Sequence, residues 1–212
     1  VAQIDLRPVR ITRDPARRSV QLLAGLALYG TSVAMLTRAH LGLEPWGVLA
    51  EGVMKHTGLT FGTATGVISV AVLLLWIPLR QRPGIGTVAN VVVISVTVDL
   101  VRAVLPDAHD LGWQIALLAG GVALNGFATA TYVGARLGPG ARDGLMTGLA
   151  ARTGRSVRLV RTGIEVTVVV GGFFLGGTVG VGTVLYALAI GPLTQALLPL
   201  VVWRERQPAL RS

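Results

Sequence analysis

Six apolar stretches alternate with short polar ones along the chain, at about 19–37, 61–79, 84–105, 112–133, 157–176 and 180–200. Each approaches the ~20 residues that a helix needs to cross ~30 Å of hydrocarbon, so the pattern predicts six membrane-crossing helices. An even number of crossings puts both chain ends on one side. Residues 1–18 carry Arg7, Arg10, Arg13, Arg17 and Arg18 ahead of the first stretch and read as a flexible basic tail, with 201–212 as a second tail. An arginine-rich start also suits a signal peptide, but no small-residue cleavage site follows, and the first segment is expected to stay.

Two stretches break the pattern: 41–58, LGLEPWGVLAEGVMKHTG, and 137–154, LGPGARDGLMTGLAARTG. Both are too polar to span and too apolar for a loop. In each, a Gly/Pro break precedes about three helical turns and a closing Thr-Gly, where glycine suits a left-handed C-terminal cap. Two short helices are predicted. They either lie on the membrane surface as amphipathic helices or dip into it as re-entrant half-helices, with their N-terminal amides aimed at a ligand.

The two short helices belong to a larger repetition. Sliding the sequence by 96 residues without gaps brings Gly25 over Gly121, Gly30 over Gly126, Leu41-Gly42 over Leu137-Gly138, Gly52 over Gly148 and Thr57-Gly58 over Thr153-Gly154. Farther on, Gly84-Ile85-Gly86-Thr87-Val88 lies over Gly180-Val181-Gly182-Thr183-Val184. The repeat divides the chain into units at 19–105 and 112–200. Each unit holds an odd number of crossings, so the second enters the membrane upside down relative to the first. The expected fold is an all-α membrane protein of six transmembrane helices, arranged as two inverted three-helix repeats, each with an extra short amphipathic or re-entrant helix.

Composition agrees. Of 212 residues 52% are hydrophobic and 14% charged, and the mean hydropathy is +0.66. That leaves too little polar surface to coat a soluble globule, which makes the lipid bilayer the first partner. A net charge of +9 on a soluble domain would suggest nucleic acid, but here the basic residues come in bursts between apolar runs. With the N-terminus in the cytoplasm only Arg38, Lys55 and Arg102 fall outside, and Asp107 and Asp110 sit in an outer turn. The positive-inside rule then places both termini in the cytoplasm, in a bacterial inner membrane, a source that the near-total use of Arg over Lys suits. No cysteine is present, and no His/Asp/Glu cluster, nucleophile motif or phosphate-binding loop appears, so no enzyme, metal, cofactor or ATP-driven pump is expected. His40, His56 and His109 stand alone near the outer boundary. Trp46, Trp76, Trp113 and Trp203 fall near segment ends, as an aromatic belt would.

Charges at membrane depth are costly and are the default functional candidates. Glu165 is the deepest acid; Arg158, Arg161 and Glu165 share a helical face, and Arg161 can pair with Glu165. The bland reading is a brace at the cytoplasmic end, the functional one a proton-coupling or gating carboxylate. Asp143 opens the second short helix, where it suits an N-cap, and Arg142 beside it suits an anionic group. Asp99 and Arg102, three apart, are expected to pair with each other, and Glu51 could face a cavity. Under the 96-residue shift Asp99 meets Gln195, Asn90 meets Tyr186 and Glu165 meets Ser69, so polar positions coincide across the halves. Asn90, Asn125, Tyr186 and Gln195 join Arg142 and Arg161 as substrate-binding candidates, although polar helix–helix contacts would give the same pattern.

The stretch LGPGARDGLMTGLAARTGRSVRLVRTGIE at 137–165, with LGLEPWGVL at 41–49, RQRPGIGTVAN at 80–90 and GGTVGVGT at 176–183, resembles the YczE/YyaS/YitT family of bacterial integral membrane proteins, closest to its YczE-like branch. The resemblance implies an association with the export or production of secondary metabolites and carries no family-wide site residues. Together these readings give an expected function: a small secondary transporter, a proton-coupled exporter of a small amphipathic organic molecule. The rival readings are an accessory membrane protein that moves nothing and a passive channel. A homodimer is compatible with all three.

Overall fold

The structure, a computed structural model, describes residue 9 and residues 12–203. Eight helices follow one another: α1 (Pro15–Ala39), α2 (Pro45–Thr57), α3 (Phe61–Leu79), α4 (Ile85–Val104), α5 (Leu111–Gly134), α6 (Ala141–Thr153), α7 (Val157–Phe174) and α8 (Val181–Val201). Among the described residues, α1, α3, α4, α5 and α8 are long and apolar enough to cross a membrane. The 157–176 stretch, expected as a further crossing, is α7. Its 18 residues include Arg158, Arg161 and Glu165, so by length and composition it does not join the five.

Local chemistry explains the ends. The short helices α2 and α6 close on Gly58 (φ 71°) and Gly154 (φ 66°), the left-handed positions that the two Thr-Gly pairs predict. Thr60 caps α3 by accepting from the Thr63 amide, and Ser156 caps α7 by accepting from the Leu159 amide. At the starts of α4 and α8, the Thr87 and Thr183 hydroxyls accept from the Gly84 and Gly180 amides.

In the packing, α1 lies along α5 at the centre; α4 rests on α1, and α8 on α5. The short helix α2 packs on α7 and α3, and α6 packs on α3 and α7. The chain leading into each short helix is clamped by a helix start of the other half. The Gly86 amide donates to Leu137 O at 3.1 Å, and the Gly182 amide donates to Leu41 O at 2.7 Å. Leu41 and Leu137, and Gly86 and Gly182, are partners under the 96-residue shift. At Gly42 (φ 113°) a Cβ would stand 2.7 Å from the Gly180 nitrogen, so both conformation and space require glycine.

Three expectations are corrected. Residues 12–18 are not a free tail: α1 begins at Pro15 and Arg18 is fully buried. Its guanidinium donates to the carbonyls of Ala135 (2.9 Å) and Arg136 (3.0 Å), because a five-donor fork matches the open carbonyls at the end of α5. Apart from residue 9, the rest of the 1–18 tail lies outside the described residues, as do residues 204–212. The tryptophans are not a belt, Trp113 apart. Trp46, Trp76 and Trp203 are buried, and Trp76 Nε1 donates to Ala141 O at 2.9 Å, tying α3 to the first turn of α6. Nor does His40 stand alone: His40 Nε2 and Arg38 Nη1 lie 2.8 and 2.7 Å from the two oxygens of Asp107, joining the end of α1 to the turn before α5.

Two predictions follow from this packing. A Cβ at Gly144 would come within 2.0 Å of the Trp76 ring. Gly144→Val therefore lowers stability by about 1–3 kcal/mol in thermal unfolding in detergent, while Gly163→Ala, with open space around it, does not. The hydrogen bonds from Arg38 and His40 hold the Asp107 carboxyl below its ordinary value of 3.8. A depressed carboxyl stabilises the fold fully above its unfolded value and ceases to do so as pH falls through the folded one. Asp107→Asn should thus lower stability near neutral pH by no more than about 1 kcal/mol, as for an exposed pair, and the difference should vanish below the usual carboxylate range.

Candidate functional site

The first turns of α2 and α6 meet inside the protein. Between them lies a cavity of about 200 Å³, walled by α1, α4, α5 and α8 and flanked by α7. Helices of 13 residues reach this depth because their N-terminal turns are made of small or buried residues: Pro45, Trp46 and Gly47 in α2, Ala141 and Gly144 in α6. Neither helix start receives a side-chain cap.

Of the residues singled out from sequence, Arg142, Asp143, Arg161, Glu165, Asn90, Tyr186 and Gln195 border this cavity. Arg161 Nε donates to Glu165 Oε1 at 2.8 Å, the pair that the i,i+4 spacing predicts. Asp143 is not the N-cap. Gly140 holds that position, and Asp143, within the first turn, accepts from the Tyr132 hydroxyl at 3.3 Å. The Arg142 guanidinium carbon lies 5.1 Å from the centre of the Trp46 ring, and its Nη1 reaches the Tyr29 hydroxyl only at 3.5 Å.

Three candidates stand elsewhere. Asn125 is fully buried and satisfied, donating to the Ser32 hydroxyl (2.7 Å) and accepting from Tyr186 (2.9 Å), and so ties α1, α5 and α8 together. Glu51 accepts from the Thr178 amide at 2.6 Å and pairs with Lys55 at 3.1 Å. It touches only a separate cavity of about 40 Å³. Asp99 does not pair with Arg102: its carboxylate accepts from the Gly62 amide (2.8 Å) and the Thr60 hydroxyl, the free donors at the start of α3. Arg102 instead lies 5.2 Å over the Phe61 ring.

Sequence reasoning passed over Glu44. It immediately precedes α2 and is 2% exposed; its Oε2 meets no hydrogen-bond partner among the described residues. It borders the cavity, with Arg142 as the charge that faces it. The signal available was its place directly before Pro45, at the N-cap of a helix already suspected of dipping inward.

The two equivalent helix pairs, α3 with α4 and α7 with α8, pack differently. Asp99 and the glycines Gly62 and Gly66 let α3 close on α4: a Cβ at Gly66 would stand 3.6 Å from that of Ser95. The shift of 96 puts Arg158 and Thr162 in place of those glycines, and α7 makes no comparable contact with α8. A Cβ at Gly191, the counterpart of Ser95, would meet nothing within 4 Å.

A family of unknown function, DUF6198, matches residues 16–199. The chain belongs to it. Relatives in keeping with that membership include an uncharacterized protein of Haemophilus influenzae, 38% identical over 85% of this chain and 83% of its own length. The uncharacterized membrane protein YczE of Bacillus subtilis is 34% identical over 83% of each chain, and the uncharacterized protein YyaS of the same organism is 24% identical over 84% of this chain and 90% of its own length. The resemblance read from the motifs is therefore borne out, and the chain is a multi-pass bacterial membrane protein. No solved structure matches.

The difference between the two helix pairs is open to test, because the chain has no cysteine. A charged maleimide should label Gly191→Cys and Gln195→Cys several-fold faster than Ser95→Cys. Equal rates at the three positions would contradict the described difference in packing.

Proposed function

We propose that this DUF6198 protein is a small proton-coupled secondary transporter of a small organic solute, and that the central cavity is its binding site. The observation that carries the reading is the meeting of two uncapped helix N-termini, one from each half of the sequence, at a single cavity that buried charged groups border. A passive scaffold has no use for costly buried charge at such a point.

On this reading the halves are inverted repeats and α7 is the sixth crossing. Supporting it are the matched lengths of the two sets of helices and the reciprocal clamps, Gly86 to Leu137 and Gly182 to Leu41. With both termini cytoplasmic, as the arginine distribution suggests, the parted α7/α8 end opens inward and α2 and α6 are re-entrant. Rocking one half against the other would close α7 on α8 and part α3 from α4. Glu44 and Asp143 are the carboxyls placed to take up a proton. The Arg161–Glu165 pair sits at the inner opening as a gate, and Asp99 is its outer counterpart. Export as the working direction rests on the family resemblance.

The test is flux in proteoliposomes with an imposed pH gradient, using a panel of small organic acids, amines and neutral solutes. The native chain should move protons only when a substrate is present, and Glu44→Gln, Asp143→Asn and Glu165→Gln should reduce or uncouple that movement. Silence across the panel, with a stoichiometric partner recovered on gentle extraction, would favour the accessory-protein reading instead.

A further inference from the structure

The cavity presents more donors than the chain satisfies. Trp46 is 7% exposed and borders the cavity, yet its Nε1–H meets no acceptor among the described residues. Among the described residues the only side-chain hydrogen bond of Arg142 is the 3.5 Å one to Tyr29, at the outer limit for such contacts, and no carboxylate lies within ion-pair distance of it. The first-turn amides of α2 and α6 add further donors, and both helix dipoles turn their positive ends inward.

The acids of the cavity are differently placed. Glu165 is taken by Arg161 and Asp143 by Tyr132. Among these acids Glu44 offers a buried, unpartnered acceptor, its Oε2, and the Thr194 hydroxyl is a further buried cavity group without a partner among the described residues. The unmet set is thus a planar cationic fork, an indole N–H and helix-start amides on one side, one carboxylate oxygen on the other, and the Thr194 hydroxyl, which can serve either. A fork with adjacent N–H donors is the complement of a carboxylate. The Glu44 oxygen calls for a donor close to that carboxylate on the same solute. A volume of about 200 Å³ holds six or seven waters at ~30 Å³ each and is smaller than drug-sized pockets of about 300–1,000 Å³.

We propose that the cavity binds a small organic acid carrying a hydroxyl or amino group beside its carboxylate. The carboxylate takes Arg142, Trp46 Nε1 and the first-turn amides of α6, and the hydroxyl or ammonium donates to Glu44. This rests on the transporter reading in treating the bound acid as cargo. It also sets the proton stoichiometry. Glu44 is faced by Arg142 from α6 and by Tyr29 and Tyr186 from α1 and α8. When a hydroxy acid occupies Arg142, Glu44 loses its countercharge and takes a proton from water. When an amino acid binds, its ammonium supplies that charge and no proton is taken.

The experiment is equilibrium binding to the purified full chain in nanodiscs, followed by titration calorimetry in buffers of different ionisation enthalpy, with L-lactate, L-alanine, lactamide, L-alaninamide and ethanolamine as probes. Lactate and alanine should bind saturably, with proton uptake accompanying lactate only; the amides and ethanolamine should not bind. Arg142→Gln should weaken both acids by roughly tenfold or more, the loss of a charged hydrogen-bonded contact, with Arg142→Lys restoring part and Trp46→Phe weakening binding several-fold. Ethanolamine or alaninamide binding as well as alanine, unchanged affinity in Arg142→Gln, or no saturable binding of either acid at millimolar concentration would overturn the site. Binding of the acids without flux would overturn the transporter reading and leave the site standing. Proton-coupled flux of an amine or a neutral solute would do the reverse.

Discussion

Backbone polar groups in an apolar surrounding must find partners within the protein, and the central cavity depends on how two interrupted segments meet that demand. The chain entering α2 and the chain entering α6 are both non-helical inside the protein, where their backbone groups need partners. Their carbonyls at Leu41 and Leu137 are taken by the Gly182 and Gly86 amides, at helix starts that belong to the opposite half. Glycine at Gly42, Gly84, Gly138 and Gly180 lets these backbones approach to contact distance. Any side chain there would push the short helices outward, and their first turns would no longer meet.

With both starts seated inside, side-chain bulk sets which parts of the wall are tight. Trp76 on α3 fills the space over Gly144 of α6; across the repeat the sizes are exchanged, with Gly172 of α7 lying against the backbone of Val48 and Leu49 in α2. The same logic distinguishes the two equivalent helix pairs. Small residues let α3 lie on α4, and Asp99 bonds to the free donors of α3. The counterparts on α7 are Arg158 and Thr162, and there the helices stand apart. On the proposed account these two helix pairs are gates, and the difference between them suits a cycle in which one is held shut while the other is open.

Much of this was legible in the sequence because it is written in spacing. The apolar stretches gave the long helices, and the Thr-Gly pairs marked where the short ones stop. The ungapped register linked the residues that later proved to make equivalent hydrogen bonds. What escaped were choices of partner. Asp99 was expected to reach Arg102 one turn away, but its carboxylate is taken by the Gly62 amide and the Thr60 hydroxyl at a neighbouring helix start. Trp76 sits at a segment end by position, yet its indole N–H is used inside. Glu44 was overlooked because an acid before a proline reads as part of a loop, and only the inward seating of α2 takes it out of water. Asn125 shows the opposite error: a polar residue at membrane depth can be spent wholly on holding helices together.

The central claim is that the two ends close in alternation. The direct measurement uses paired cysteines in the cysteine-free chain: Gly66→Cys with Ser95→Cys across α3/α4, and Thr162→Cys with Gly191→Cys at the equivalent place across α7/α8. The first pair has the Cβ separation of 3.6 Å that a disulfide accepts. The account predicts rapid cross-linking of the first pair and little of the second without solute, a reversal of that preference during transport, and loss of flux when either pair is locked. Equal cross-linking of both pairs under all conditions, or full flux with the first pair locked, would contradict it.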